Sequence, residues 1–147
     1  MNPQIRYGED VMSRVSYCMM EEKGLATLNN SVIQGINELT RKIAEKHGIK
    51  LDSVFEIVFV ANPIMHHLLL GIDPKELGQA PFPLALSDSL TIKSKDIGII
   101  LNPESYVYTV PCIGGHVGAD AASVLIAEQP QKLKYTTTLL IDIGTNA

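Results

Sequence analysis

A chain of 147 residues, 46% hydrophobic and 19% charged, has the size and make-up of one globular domain with a single core. Its net charge of −4 gives no footing for a nucleic acid or an anionic membrane, and two cysteines, Cys18 and Cys112, are too few for a disulfide framework or a four-thiolate cluster. The apolar runs fall far short of a membrane span, and the start through Asn2, Gln4, Arg6, Glu9 and Asp10 excludes a signal peptide, so a reducing, cytoplasmic setting is expected.

From Glu9 to Lys23 the apolar residues Val11, Val15, Cys18 and Met19 recur at a helical period, with Gly24 suited to the C-terminal cap. Asp10 and Arg14 stand four apart and can pair on one face. A structural pair is the simpler reading, a place at an active site the sharper one. The clearest helix runs from Ser31 to His47, opened by a Ser31/Gln34 capping box and closed by Gly48. Val32, Ile36, Leu39 and Ile43 form its expected buried stripe, and His47 is expected at the surface.

Val54 to Val60 is a near-continuous apolar run and reads as a central strand. It leads directly into Asn62 as an N-cap, Pro63 at the first helical position and Gly71 as the C-cap. Open α/β sheets place ligands at such strand-to-helix junctions, so Asn62 is either a cap or a ligand-facing residue. Neighbouring histidines 66 and 67 point about 100° apart on a helix and do not chelate one metal readily. One packed and one exposed histidine is the expectation. Asp73 with Glu76 is a second capping signal, and the proline-rich stretch from Leu77 to Ser89 reads as a surface excursion. Leu90–Lys93 and Gly98–Leu101 read as short strands or an edge hairpin, and Tyr106–Val110 as a firmer strand ended by Pro111.

Pro111-Cys112-Ile113-Gly114-Gly115-His116-Val117-Gly118-Ala119-Asp120 enters a helix expected from about Val117 to Glu128. Its glycines allow close backbone approach and its amides suit an anion, although the spacing matches neither the Walker nor the dinucleotide pattern. A tight structural turn explains the same spacing equally well. The alanines of this helix suit close packing on a sheet. The run from Thr136 to Ile143 reads as a strand buried on both faces, broken by Asp142 and followed by Gly144, Thr145 and Asn146. Amides of those three residues can converge on an anion, with Asp142 facing a magnesium ion through waters; a surface β-turn is the plainer alternative. Strands alternating with helices imply an α/β fold with a mostly parallel sheet and flanking helices. Its strand ends would bring Asn62, the 114–120 turn and Asp142 to one rim.

Several stretches together carry a resemblance: Asn2-Pro3-Gln4 with Tyr7-Gly8-Glu9-Asp10-Val11 and Ser13-Arg14, Asn62 through Pro74, Ala80-Pro81-Phe82, Pro111 through Asp120, and Ile141 through Ala147. In this order, over essentially the whole chain, they resemble the actin-like (ASKHA, ribonuclease H-like) ATPase domain of the ATP-dependent reductive activators of corrinoid proteins. The resemblance implies half of such a domain: residues 1–134 as a first-half subdomain, with its excursion at 73–102, and 135–147 as the first strand and phosphate loop of the second half.

It further implies a parent that spends ATP, with Mg2+, to return a Co(II) corrinoid to Co(I). The parent's electron would come from a [2Fe-2S] cluster in a domain outside this chain, and its partner would be the corrinoid protein of a methyltransferase system, with a homodimer left open. Asp142 would orient magnesium and water, while Gly144, Thr145, Asn146, Gly115, Gly118 and Asp120 would meet the nucleotide phosphates, with Asn62 and Asp10 at the rim. The superfamily's other phosphate loop would precede Asn2, so the chain is expected to be a fragment and inactive alone. Ala61 departs from the glycine that relatives usually carry. A non-catalytic folding or docking module, and part of a small-molecule kinase of the same superfamily, are the competing readings.

Overall fold

A computed structural model describes residues 2–132 and 136–141. A 3₁₀ turn at Pro3–Tyr7 leads to α1 (Val11–Met20), whose first turn is capped by Asp10: the Ser13 N–H donates to Asp10 Oδ1 at 2.7 Å. α1 closes at Glu21, whose N–H donates to the Tyr17 carbonyl, and Gly24 instead opens α2 (Gly24–His47). The reason is space. A Cβ on Gly24 would lie 2.7 Å from the Tyr17 carbonyl oxygen and 2.9 Å from Cys18 Cα, so this glycine lets two helices share a corner.

α2 begins well before Ser31, because Leu28 buries against α1; Ser31 ends up inside the helix and buried, so its capping-box signature marks no helix start. The expected stripe also fails in its second half. Leu39 is 60% and Ile43 50% exposed, and Val32, Ile36 and Leu39 instead line a groove of ≈400 Å³ with Asn2 and Pro3. Gly48 does close the helix in the left-handed conformation, and His47 is exposed.

The sheet has three strands, β1 (Glu56–Phe59), β2 (Leu90–Lys93) and β3 (Tyr106–Thr109), in the order β1-β3-β2. β1 runs parallel to β3, with Glu56 opposite Tyr106 and Phe59 opposite Thr109. β2 pairs antiparallel to β3, with Leu90 opposite Thr109. The mixed sheet corrects the expected mostly parallel one among the described residues, and β1 lies at an edge rather than the centre. Phe55, Val58 and Val60 remain exposed, at 60%, 53% and 46%, the two valines on a face that α4 leaves open. The second short strand expected at Gly98–Leu101 does not form: a 3₁₀ turn at Ser94–Ile97 ends at Gly98 in the left-handed conformation, and 99–101 pair with no strand among the described residues.

α3 (Pro63–Leu70) follows β1 and is packed on all but its outer edge. Val15, Cys18, Leu28, Ile64, Leu68 and Leu77 form one core cluster between the helices. Ile33, Leu69, Ile99, Leu101 and Val107 form a second under the sheet. Full burial of a leucine such as Leu28 or Leu68 contributes about 1.5–3 kcal/mol. α4 (Ala119–Glu128) buries only Ala119. Rather than packing closely on the sheet, it stands off across an apolar groove of ≈580 Å³ lined by Val58, Val60, Tyr108, Val110, Ala122 and Ile126 among others. The terminal run is not a buried strand over its described part: residues 136–141 carry no regular structure, and Leu139 and Ile141 are 80% and 68% exposed. Its remainder, 142–147, lies outside the described residues.

Candidate functional site

The rim forms where β1 meets α3 and where the turn after β3 meets α4. Asn62 has extended backbone, and its Oδ1 accepts the Met65 N–H at 2.9 Å, so capping fixes the side chain while Pro63 pre-sets the first helical residue. One residue earlier, the Ala61 carbonyl accepts the Ala119 N–H at 3.1 Å, which ties the start of α4 to the start of α3. Gly118 closes the junction. A Cβ there would lie 2.7 Å from Asn62 Cα, 2.7 Å from Pro63 Cδ and 2.6 Å from Asp120 Oδ1. Its φ of −87° is open to any residue, so glycine is required here for space and not for backbone freedom. Asn62, Gly118 and Asp120 are thereby brought together; Asp142, the third member of the rim that strand-end geometry predicts, lies outside the described residues.

Part of the glycine turn is closed on itself. Gly114 and Val117 exchange backbone hydrogen bonds of 3.0 and 3.1 Å, and the Ile113 N–H also donates to the Val117 carbonyl. Of the amides expected to receive an anion, those of Ile113, Gly114, Val117 and Ala119 are therefore occupied. Among the described residues the amides of Gly115, His116 and Asp120 meet no acceptor. Asp120 sits in the first turn of α4, accepts the Ala121 N–H at 2.9 Å and complements the helix dipole. Its negative charge beside those amides means that an anion held here is best accompanied by a cation.

Asp10 caps α1, and its charge favours the charged form of Arg14, although burial pulls the guanidinium's pKa down more strongly. Arg14 is 6% exposed, with Nε donating to the Gly8 carbonyl at 3.2 Å and Nη1 lying 3.1 Å from Met65 Sδ. That contact reaches the first turn of α3 beside Asn62. Asp10 is thus connected to the rim through Arg14. Asp142, Gly144, Thr145 and Asn146 lie outside the described residues.

Both adjacent histidines are buried, at 2% for His66 and 0% for His67, so the expectation of one exposed ring is corrected. α3 is enclosed by α1, α2 and the excursion, which leaves no exposed side for either ring. His67 Nδ1 lies 2.8 Å from the Pro63 carbonyl and Nε2 accepts the Ala85 N–H at 3.2 Å, an arrangement that fits the neutral Nδ1–H tautomer. Burial holds both histidines below their ordinary pKa.

The sequence reading missed that the excursion reaches the rim. The Cys112 N–H donates to the Ser87 carbonyl at 2.9 Å, Ala85 binds His67, and the Phe82 ring meets His116 at 4.1 Å between centroids. No periodicity or capping pattern signals these contacts, since they join residues 18 to 34 positions apart through irregular backbone. Cys18 lies in the helical core and Cys112 follows β3. Both are free and buried, and burial pushes the Cys18 thiol up to about 11 and raises Cys112 as well, so both are neutral, unreactive thiols in this structure. Among the described residues no group of three or more His, Cys, Asp or Glu side chains is placed to hold a metal.

The family model described as RACo middle region matches residues 1–132. The chain belongs to the RACo middle region family. This RACo middle region is 34% identical over 146 residues to the corrinoid activation enzyme RamQ of Eubacterium limosum, covering 99% of the chain and 24% of RamQ. It is also similar to a solved "reductive activator for corrinoid, iron-sulfur protein", at 30% identity and a TM-score of 0.83, over 86% of this chain and 20% of that one. The chain thus spans about a quarter or less of the length of these relatives. No helix among the described residues is long and apolar enough to cross a membrane.

Proposed function

We propose that this RACo middle region serves in the reductive activation of a corrinoid protein, as one half of an actin-like ATPase unit in a longer polypeptide. The observation that carries the reading is the Gly118 junction, which holds Asn62, Asp120 and the unbonded amides of the glycine turn at one rim. On this reading the rim is the place for the phosphates of ATP, met by Gly115, Gly118 and Asp120; Asp142, Gly144, Thr145 and Asn146, outside the described residues, are assigned to the same phosphates by the resemblance alone. Asp120 fits an accompanying Mg2+, whose charge would offset that of its carboxylate beside the phosphates; Asp142 is assigned to the same ion by the resemblance. The open edge of β1, with Phe55, Val58 and Val60 exposed, supports the same reading, because a sheet completed by other segments leaves such an edge in its isolated half.

In the complete protein, ATP hydrolysis would supply the free energy to move one electron onto Co(II) and give Co(I). The electron would come from a [2Fe-2S] cluster elsewhere in the polypeptide, and the acceptor would be the corrinoid protein of a methyltransferase system.

Calorimetric titration with Mg·ATP tests the reading, on this chain, on its Thr145→Ala variant and on the full-length reading frame that contains it. The chain alone is expected to be silent or to bind only at millimolar level, since the reading assigns half of the phosphate clamp to other residues. The full-length protein is expected to bind at micromolar level and to lose that binding with Thr145→Ala. A silent full-length protein sinks the nucleotide reading. Micromolar binding by this chain alone sinks the need for a second loop.

A further inference from the structure

We infer that Phe82 is a positioning residue: it grips the glycine turn at Gly115, as Asn62 and Pro63 do at Gly118, and sets the register of the rim. Its purpose, presenting amides to phosphate, rests on the function proposed above. The inference begins with a backbone outlier. Phe82 has φ of +57°, the left-handed region, in which a bulky side chain is disfavoured, and it precedes Pro83, a position that ordinarily takes extended backbone. Such conformations persist only where the surroundings over-determine them, and they gather at functional sites.

The surroundings do so here. The Phe82 N–H donates to the Gln79 carbonyl at 2.8 Å, and beyond the residue the strap is held by Ala85 on His67 Nε2 and by Ser87 under the Cys112 N–H. Held in this way, the Phe82 carbonyl oxygen occupies the space that a Cβ on Gly115 would need, and Phe82 Cβ lies 2.6 Å from the same point. The ring lies across His116, at 63° between planes. At the other end of the turn, Gly118 is gripped by Asn62 and Pro63 with equally little room. The turn is therefore clamped at Gly115 by Phe82 and at Gly118 by the rim, and the unbonded amides of Gly115 and His116 lie at the Phe82 end of that clamp. A residue serving only to bury apolar surface does not account for this. Phe82 is only half-buried, and its ring covers an exposed histidine.

The test uses the full-length reading frame with Phe82→Ala, Phe82→Gly and Phe82→Tyr. Mg·ATP hydrolysis is read as KM and kcat, and hydrogen exchange is followed in peptides covering 112–122 and, as a folding control, 24–47. Phe82→Ala keeps the carbonyl and Cβ against Gly115 and removes only the ring from His116, so it reads the ring's share of the grip; it is expected to raise KM about fivefold with kcat within about twofold, the pattern of lost binding alignment. Exchange in 112–122 should quicken while that in 24–47 stays unchanged. Phe82→Gly, which relieves the backbone but removes the ring, should behave like Phe82→Ala, and Phe82→Tyr should behave like the parent. An unchanged KM and unchanged exchange in Phe82→Ala, or parent-like behaviour of Phe82→Gly, overturns the assignment. If the parent hydrolyses no ATP, the proposed function falls on that result alone. The exchange comparison then decides by itself whether Phe82 holds the turn.

Discussion

The helical side of this molecule and its sheet side are built to different degrees of completeness. Around α1, α2 and α3 the core closes on itself: Leu28, Leu68 and Leu77 are almost wholly buried, and even Gln4 is enclosed, its Nε2 donating to the Leu28 carbonyl at 2.9 Å. Around β1 and α4 the apolar surface is left open, with Val58, Ile113 and Ile126 at 53%, 65% and 66% exposure across a shared groove. One side supplies stability. The other supplies surface, and exposed apolar surface of this extent marks a place where further protein belongs.

The largest expected effect tests that division directly. Leu28→Ala should lower unfolding stability by about 2–5 kcal/mol in urea titration, from lost burial and a cavity that the surrounding helices cannot fill. Val58→Ala, on the open side, should stay within about 0.5 kcal/mol. Equal losses would mean that the open face is covered in solution and that the contrast is an illusion.

A smaller effect is expected at the rim. Gly118→Ala adds one methyl against the backbone of Asn62 and the ring of Pro63 and should cost about 1–3 kcal/mol through overpacking. Gly114→Ala meets nothing within 4 Å and should be close to neutral. Comparable values for the two would show that the junction is loose and that Asn62 is not held against the turn.

The subtlest test is of pH. His66 and His67 are held below their ordinary pKa of 6.5 by burial, so below that pH the unfolded chain binds protons more readily than the folded one. Their contribution is therefore complete above pH 6.5 and is lost as the pH falls through the folded values. Neither ring nitrogen of His66 has a hydrogen-bond partner among the described residues, so His66→Leu should flatten the dependence of the urea midpoint on pH below 6.5. An unchanged slope in His66→Leu would mean that His66 does not carry this acid sensitivity.

What could be read from sequence followed the range of the interaction. Caps and turn residues act within four positions, so Asn62, Pro63, Gly71 and Gly48 declared their roles correctly, and β3 was legible from its β-branched and aromatic run. Burial is decided by partners far along the chain. Leu39 and Ile43 have the right period but no element over them, and His66 and His67 look polar until α1, α2 and the excursion close over their side of α3. β1 has the apolar pattern of a central strand, yet within the described residues it is paired only with β3. At the site, the pairing of Asn62 with Gly118 followed from the rule that strand ends share an edge. The approach of Phe82 to Gly115 depended on an irregular path that no local rule specifies.

α2 makes two distant attachments through asparagines. Asn29 Nδ2 donates to the Leu68 and Leu69 carbonyls at 2.8 and 3.0 Å, and Asn37 donates to the Gly98 carbonyl at 2.9 Å while accepting the Ile100 N–H at 2.8 Å. These residues lie about 12 Å apart along a helix that rises 1.5 Å per residue. α2 is thus a strut with a fixed spacing, pinned at one point to the C-terminal end of α3 and at the other to the connection between β2 and β3. The distance between the C-terminal end of α3 and the β2–β3 connection is therefore set by the length of helix between the two asparagines.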